Sequence, residues 1–219
     1  LNVVLGDNKE VEIRPWKAKD KKAFIKLLED KGENVTGEDI TNVLVRSCMS
    51  DPEIFLNPDE AQYLIMKIKE ISIGNNISFD MECDNPDCGK NFDVNITFDD
   101  ITHYQPSKFP HQGKIISWRE IPSQKIFDDV IKSTDEAYVD VEMLLHMDSI
   151  NGQPIASFQE ALEIVDDMEL KQTEEIEQEY SEVVAFLELG TKIKCPHCGY
   201  EDDYQFDIIP HFFDELLPN

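Results

Sequence analysis

No stretch of this chain is apolar over the roughly 20 residues that a membrane-spanning helix needs, so no membrane partner is expected. It lacks a glycine-rich phosphate loop, a His-Glu-x-x-His pair and a nucleophile elbow, the usual signatures of nucleotide, zinc-peptidase and hydrolase chemistry. The five histidines are scattered, and His146, set among Leu144, Leu145 and Met147, reads as a packed residue rather than a base. No catalytic residue is assigned, and the chain is read as a non-enzyme. Low-complexity tracts are missing, and 41% hydrophobic residues are too many for a disordered protein. With 219 residues there is enough chain for a real core.

Positive charge is scarce: 20 basic against 46 acidic residues give a net charge of −26. A phosphate-binding surface needs clustered Lys and Arg, whereas the segment from Glu160 to Glu188 sets eleven carboxylates against one lysine, Lys171. Nucleic acid is therefore not an expected partner. The acidic segment is either solubilising surface or a face shaped for a basic protein. Lys17, Lys19, Lys21, Lys22 and Lys26 form the one basic cluster, read as the solvated side of an early helix. The N-terminus shows nothing like a secretory signal, so a reducing compartment is expected.

Against these absences stand four cysteines in two close pairs. Cys195-Pro196-His197-Cys198-Gly199 is a knuckle, a tight turn that aims two sulfurs at one point. Cys83 and Cys88, with Asn85-Pro86-Asp87 between them and Gly89 after, form a looser version. Four thiolates suit one tetrahedral zinc, and a site closed by four sulfurs leaves no position for substrate, so its role would be structural. Disulfides and unligated core thiols are the competing readings. His197 is an alternative ligand inside the knuckle, and Cys48 reads as a small core residue.

The neighbourhoods of the two pairs look alike. Asn57 as N-cap, Pro58 and Glu60 open a helix with Ala61, Leu64, Ile65, Ile68 and Ile71 on one face, closed by Gly74. Ile77–Glu82 reads as a strand, and Phe92, Val94, Ile96 and Phe98 alternate after the cysteines. In the second copy Ile176, Tyr180, Val183 and Leu187 read as a helix ending at Gly190, and Tyr204, Phe206 and Ile208 alternate after Cys198. The expected organisation is one compact unit over 1–219. Within it, 58–98 and 173–210 are pseudo-equivalent helix–strand–knuckle–strand halves, and 99–172 is a mainly helical insertion.

Elsewhere, residues 3–15 read as a hairpin turning at Gly6-Asp7-Asn8, 17–31 as a helix burying Phe24, Leu27 and Leu28, and Thr36 with Asp39 as a capping box. Thr102–Gly113 reads as a loop and Lys114–Ile121 as a strand. Everything from there to Leu189 reads as helix, with a turn at Asn151-Gly152 and a cap at Ser157. The fold class is α+β, mostly helical, with short antiparallel strands around a zinc-ribbon-like four-cysteine core.

Two runs carry a resemblance. Val11-Glu12-Ile13-Arg14-Pro15-Trp16-Lys17-Ala18-Lys19-Asp20-Lys21-Lys22-Ala23-Phe24, and Tyr63-Leu64-Ile65-Met66-Lys67-Ile68-Lys69-Glu70-Ile71-Ser72-Ile73-Gly74 leading to Cys83 and Cys88, resemble baseplate proteins of T-even-type (T4-like) contractile-tailed bacteriophages linked to hub and central-spike assembly. The resemblance implies a late viral product in the cytoplasm of the infected bacterium, as an assembly factor or minor baseplate component. It implies other baseplate and hub proteins as partners, no catalytic residues, and the cysteines as metal ligands. The alternative function is a zinc-ribbon regulator of phage transcription or replication that acts through protein contacts.

Overall fold

The computed structural model describes residues 1–6, 8–134 and 137–206. In chain order the elements are β1 (Asn2–Gly6), β2 (Lys9–Glu12), α1 (Ala18–Lys31), α2 (Gly37–Leu44), α3 (Pro58–Ile73), β3 (Asn76–Glu82), β4 (Asn91–Thr97), α4 (Phe98–Ile101), β5 (Thr102–Gln105), β6 (His111–Gln112), β7 (Ile116–Trp118), α5 (Gln124–Ile131), α6 (Tyr138–His146), β8 (Met147–Ile150), β9 (Gln153–Pro154), α7 (Phe158–Asp166), α8 (Leu170–Ser181), β10 (Phe186–Lys194) and β11 (Glu201–Gln205). The strands form four small sheets, ordered β1-β2, β11-β10-β5, β3-β4 and β6-β7-β8-β9, with every pairing antiparallel. The class is α+β, as expected.

Local chemistry explains the helix starts. Asn57 accepts the Glu60 N–H and Glu60 returns a carboxylate to the Asn57 N–H, so two amides left free by the first turn of α3 are satisfied reciprocally. Thr36 and Asp39 do the same for α2, and Ser157 caps α7. At α1 a lysine stands where a cap is usual. Asp20 substitutes from inside the helix, accepting the Lys17 N–H at 2.7 Å and taking both guanidinium arms of Arg14 at 2.7 and 3.1 Å. The cysteine of this region, Cys48, is buried in a short turn after α2.

The structure corrects the expected pattern in three places. Thr102–Gly113 is not all loop: β5 pairs with β10 in the register Leu189↔Thr102 to Phe186↔Gln105. The run to Leu189 is not all helix, because β8 and β9 form a hairpin whose turn is the anticipated Asn151-Gly152, with φ of 49° and 77°. Gly190 does not end a helix either. Helix α8 stops at Ser181, and Gly190 lies inside β10 opposite Gln205. A Cβ there would meet the Gln205 side chain at 2.9 Å, so the glycine serves a close cross-strand approach. Leu187 sits four residues after Val183 and fits a helix. It equally fits the strand, where Leu187, Leu189 and Ile193 are buried. The alternation expected at Tyr204 and Phe206 is present, and Ile208 lies outside the described residues, as do Asp7 of the first turn and the end of the 173–210 half.

Among the described residues there are three apolar clusters. The largest joins β1, β2 and α1–α3 to both hairpins that carry the cysteine pairs, through Ile77, Val94, Leu187, Leu189, Ile193 and Phe206. A second joins β7, α6, α7 and α8, built on Phe109, Trp118, Met143, Leu144, Met147, Ala161, Ile176 and Tyr180. The third is small, and there Phe55 meets Ile121, Phe127, Val141 and Leu145. Between them lies a buried polar joint. Lys9 pairs with Glu60 at 2.7 Å and reaches Glu120 at 4.0 Å, while Glu142 accepts a hydrogen bond from Tyr180 Oη at 3.0 Å.

Candidate metal centre

Each cysteine pair sits at the tip of a hairpin. The β3–β4 strands run in register from Asn76↔Thr97 to Glu82↔Asn91, and the next amide, Cys83 N–H, still bonds to Lys90 O at 3.0 Å. The β10–β11 strands end at Lys194↔Glu201, and Cys195 N–H bonds to Tyr200 O at 2.8 Å. Beyond these matching bonds the chain must reverse. It does so through Gly89 and Gly199, whose φ values of 54° and 77° are unfavourable for any residue with a Cβ. In the longer turn Asn85 takes up the slack. Its side-chain oxygen accepts the Asp87 N–H and its carbonyl accepts those of Cys88 and Gly89.

The two tips meet. Cys83 Sγ lies 3.6 Å from Cys198 Sγ, Cys88 Sγ lies 3.9 Å from Cys195 Sγ, and all four sulfurs fall within 4.8 Å of one another. Zinc–sulfur bonds of about 2.3 Å place the sulfurs of a tetrahedral site about 3.8 Å apart, against about 2.05 Å in a disulfide. The four residues named from the sequence are thus brought together in a donor set able to hold one metal ion. Cys83 and Cys195 are buried, Cys88 is half-buried and Cys198 faces solvent. Burial pushes the Cys83 thiol up to about 12. At Cys195 burial also works upward, but the N–H groups of His197 and Cys198 together with the Cys83 and Cys198 side chains outweigh it and bring the thiol down to about 6. Backbone amides aimed at sulfur favour the thiolate, the form that binds metal.

The other candidates separate clearly. His197 turns its Nε2 to Asn91 O at 3.3 Å, linking the second tip to β4. Cys48 lies in the main core beside Ser47. His146 is buried with its ring stacked on Phe109 at 4.1 Å and Nδ1 at 2.6 Å from Arg119 O, and burial lowers its pKa to about 3. Sequence reasoning missed the buried joint of Lys9, Glu60, Glu120 and Glu142. Glu60 was visible only as a capping residue, and no spacing marks Glu142. A groove of about 660 Å³ between α2, α3 and α5 is lined by the apolar side chains of Ile40, Leu56, Ile65, Phe127 and Ile131.

Most of the acidic segment lies on α7, α8 and the turn between them, with Glu182 after α8 and Glu188 in β10. Glu163, Asp166, Asp167, Glu169, Glu174, Glu175 and Glu177 are exposed, and Leu170 stands 75% exposed among them. Glu179 is engaged, accepting the Lys114 N–H. The lysines at 17, 19, 21, 22 and 26 are all exposed on α1 and the residue before it. Among the described residues no helix is long and apolar enough to cross a membrane.

No curated protein and no solved structure matched in the comparisons made. The family model described as "T4 bacteriophage base plate protein" matches residues 1–214 of 219. That match runs through the N-terminal core, both hairpin tips and the chain between them, and so this chain belongs to the T4 bacteriophage base plate protein family.

Proposed function

We propose that the protein is a zinc-stabilised component or assembly factor of the phage baseplate hub that works by binding other baseplate proteins and performs no chemistry of its own. The sulfur geometry is the observation that carries the metal half of this reading. Cys83, Cys88, Cys195 and Cys198 would hold one zinc between two pseudo-equivalent hairpins, closing the segment of 195 − 88 − 1 = 106 residues between them at its base. Four protein ligands would complete the shell, so the ion would act on shape rather than on a substrate. Protein purified without chelators should carry about one zinc per chain by elemental analysis. Metal-free protein with a Cys83–Cys88 or Cys195–Cys198 disulfide would overturn the assignment.

Family membership supports the binding half. The protein would act in the cytoplasm of the infected cell before or during its incorporation into the baseplate. The acidic surface of α7 and α8, with Leu170 as its apolar point, fits a basic surface on a protein partner. Replacing Glu174, Glu175 and Glu177 by glutamine removes charge while keeping side-chain length and helix propensity. Glu179 is left in place because it holds the Lys114 amide. Association with hub proteins captured from infected cells should then slow and lose much of its salt dependence. Unchanged association at low salt would make the acidic helices solubilising surface only. Salt-sensitive binding to duplex DNA would favour instead a zinc-ribbon regulator of transcription or replication.

A further inference from the structure

The acidic corner calls for a basic surface, and this chain carries one. Of its 20 basic side chains, five lie at Lys17, Lys19, Lys21, Lys22 and Lys26. Phe24, Leu27 and Leu28 turn α1 onto the core. A 100° step per residue then places Lys19, Lys22 and Lys26 together on the opposite side. Six lysines elsewhere in the fold find carboxylates: Lys9 with Glu60, Lys31 with Asp39, Lys67 with Glu70, Lys171 with Glu175, Lys192 with Asp203 and Lys194 with Glu201. Among the ion pairs of the described residues none uses Lys19, Lys21, Lys22 or Lys26, although acids outnumber bases 46 to 20.

The extent of this face decides what it takes. Exposed Glu10 and Glu12 precede it and Glu29 and Asp30 follow it, so a long polyanion such as nucleic acid would meet carboxylates at both ends. A bounded acidic patch avoids them. Helix α8, at 12 residues against 14 for α1, presents such a patch of matching length, about 18 against 21 Å. Each face also carries an exposed apolar residue: Leu170 opens α8 with Glu174 four residues on, and Ala23 on α1 has Lys19 and Lys26 four and three residues away.

We infer that the lysine face of α1 docks on the acidic α7–α8 corner of a second copy of this chain, a head-to-tail contact between unlike surfaces. The inference rests on the acidic corner being a docking face, and names one occupant for it. Such a contact repeats, giving a ring where the rotation closes and an open string where it does not. The net charge of −26 on each copy opposes approach. That repulsion is long-ranged, and at about 0.15 M salt a screening length of about 8 Å leaves mainly the facing groups to interact.

Sedimentation velocity on the purified zinc-loaded protein, without any other baseplate protein, tests this apart from hub binding. Self-association is expected at about 0.15 M salt and should be lost near 1 M, where the screening length is about 3 Å. The triple variant Lys19→Glu, Lys22→Glu, Lys26→Glu should weaken it about tenfold or more, and so should Glu174→Lys, Glu175→Lys, Glu177→Lys. A mixture of the two variants, one with both faces acidic and the other with both basic, should associate again. A wild-type protein that stays monomeric at every concentration overturns the inference. So do oligomers indifferent to both variants, or a mixture that fails to associate, or lysine-dependent binding to a DNA duplex in place of self-association. Hub-protein capture by a strictly monomeric wild type would leave the proposed function standing and remove only this contact.

Discussion

Cys195→Ser is expected to destabilise the protein by about 4 kcal/mol or more, the range in which loss of a structural metal falls. Removing one sulfur would take a ligand from the proposed ion and untie the two hairpin tips, which otherwise touch through Cys83–Cys198 and Cys88–Cys195. Both hairpins contribute to the main core, Ile77 and Val94 from one, Leu189 and Ile193 from the other, so loosening the tips is transmitted into it. Cys48→Ser is the control. That thiol is also buried, but it is far from the tips in sequence and has Ser47 Oγ at 3.6 Å as a polar neighbour. Burying a hydroxyl there should cost about 1–3 kcal/mol. Chelator should shrink the gap between wild type and Cys195→Ser while leaving the effect of Cys48→Ser unchanged. Equal losses of melting temperature in the two variants would mean that these four sulfurs do not share an ion.

Glu142→Gln should stabilise the protein at pH 8. Burial holds the Glu142 carboxyl up at about 7, against the favourable hydrogen bond from Tyr180 and in the presence of Glu60, Lys9 and Asp59. A carboxyl whose folded pKa lies above its unfolded value contributes stability that is intact below the unfolded pKa, near 4.5, and is lost as pH rises through about 7. The full span corresponds to about 3 kcal/mol. Glutamine keeps an acceptor for the tyrosine hydroxyl and carries no charge to bury. The variant should therefore gain about 1–3 kcal/mol over wild type at pH 8, and the gain should fade toward pH 5. Denaturant midpoints at the two pH values give the difference directly. A gain of equal size at both would assign the effect to packing.

The parts of the molecule that were legible in the sequence are those set by neighbours a few residues apart. Caps at Thr36, Asn57 and Ser157, the stripe on α3 and the strands beside the first cysteine pair all follow from spacing alone. The proximity of four sulfurs was legible because a turn flanked by glycine writes its geometry locally. What could not be read was set by partners far along the chain. Thr102–Gln105 has no strong pattern of its own and becomes a strand because β10 lies beside it. Met147–Ile150 continues the apolar run of α6, and pairing with β7 draws it into a sheet. Leu187 fitted two periods, and the choice between them was made by β11 and β5 on either side. The joint around Lys9 depends on four residues from separate elements, a coincidence of topology with no sequence signature.

The main core takes its last contributions, Leu187, Leu189, Ile193 and Phe206, from a strand pair that follows the insertion, and its first from Val3, Leu5 and Val11. During synthesis the opening hairpin and α1–α3 therefore emerge with an apolar face that Ile77 and Val94 of the next hairpin cover only in part. That face stays open until the ribosome has released the second cysteine pair and the strand after it. Long-range closure of this kind is slow and leaves the nascent chain open to aggregation. The acidic composition acts at that stage as well, because like-charged chains on neighbouring ribosomes repel while their cores are still exposed. A translation product interrupted before residue 195 lacks β11, which pairs with β10, and half the sulfurs.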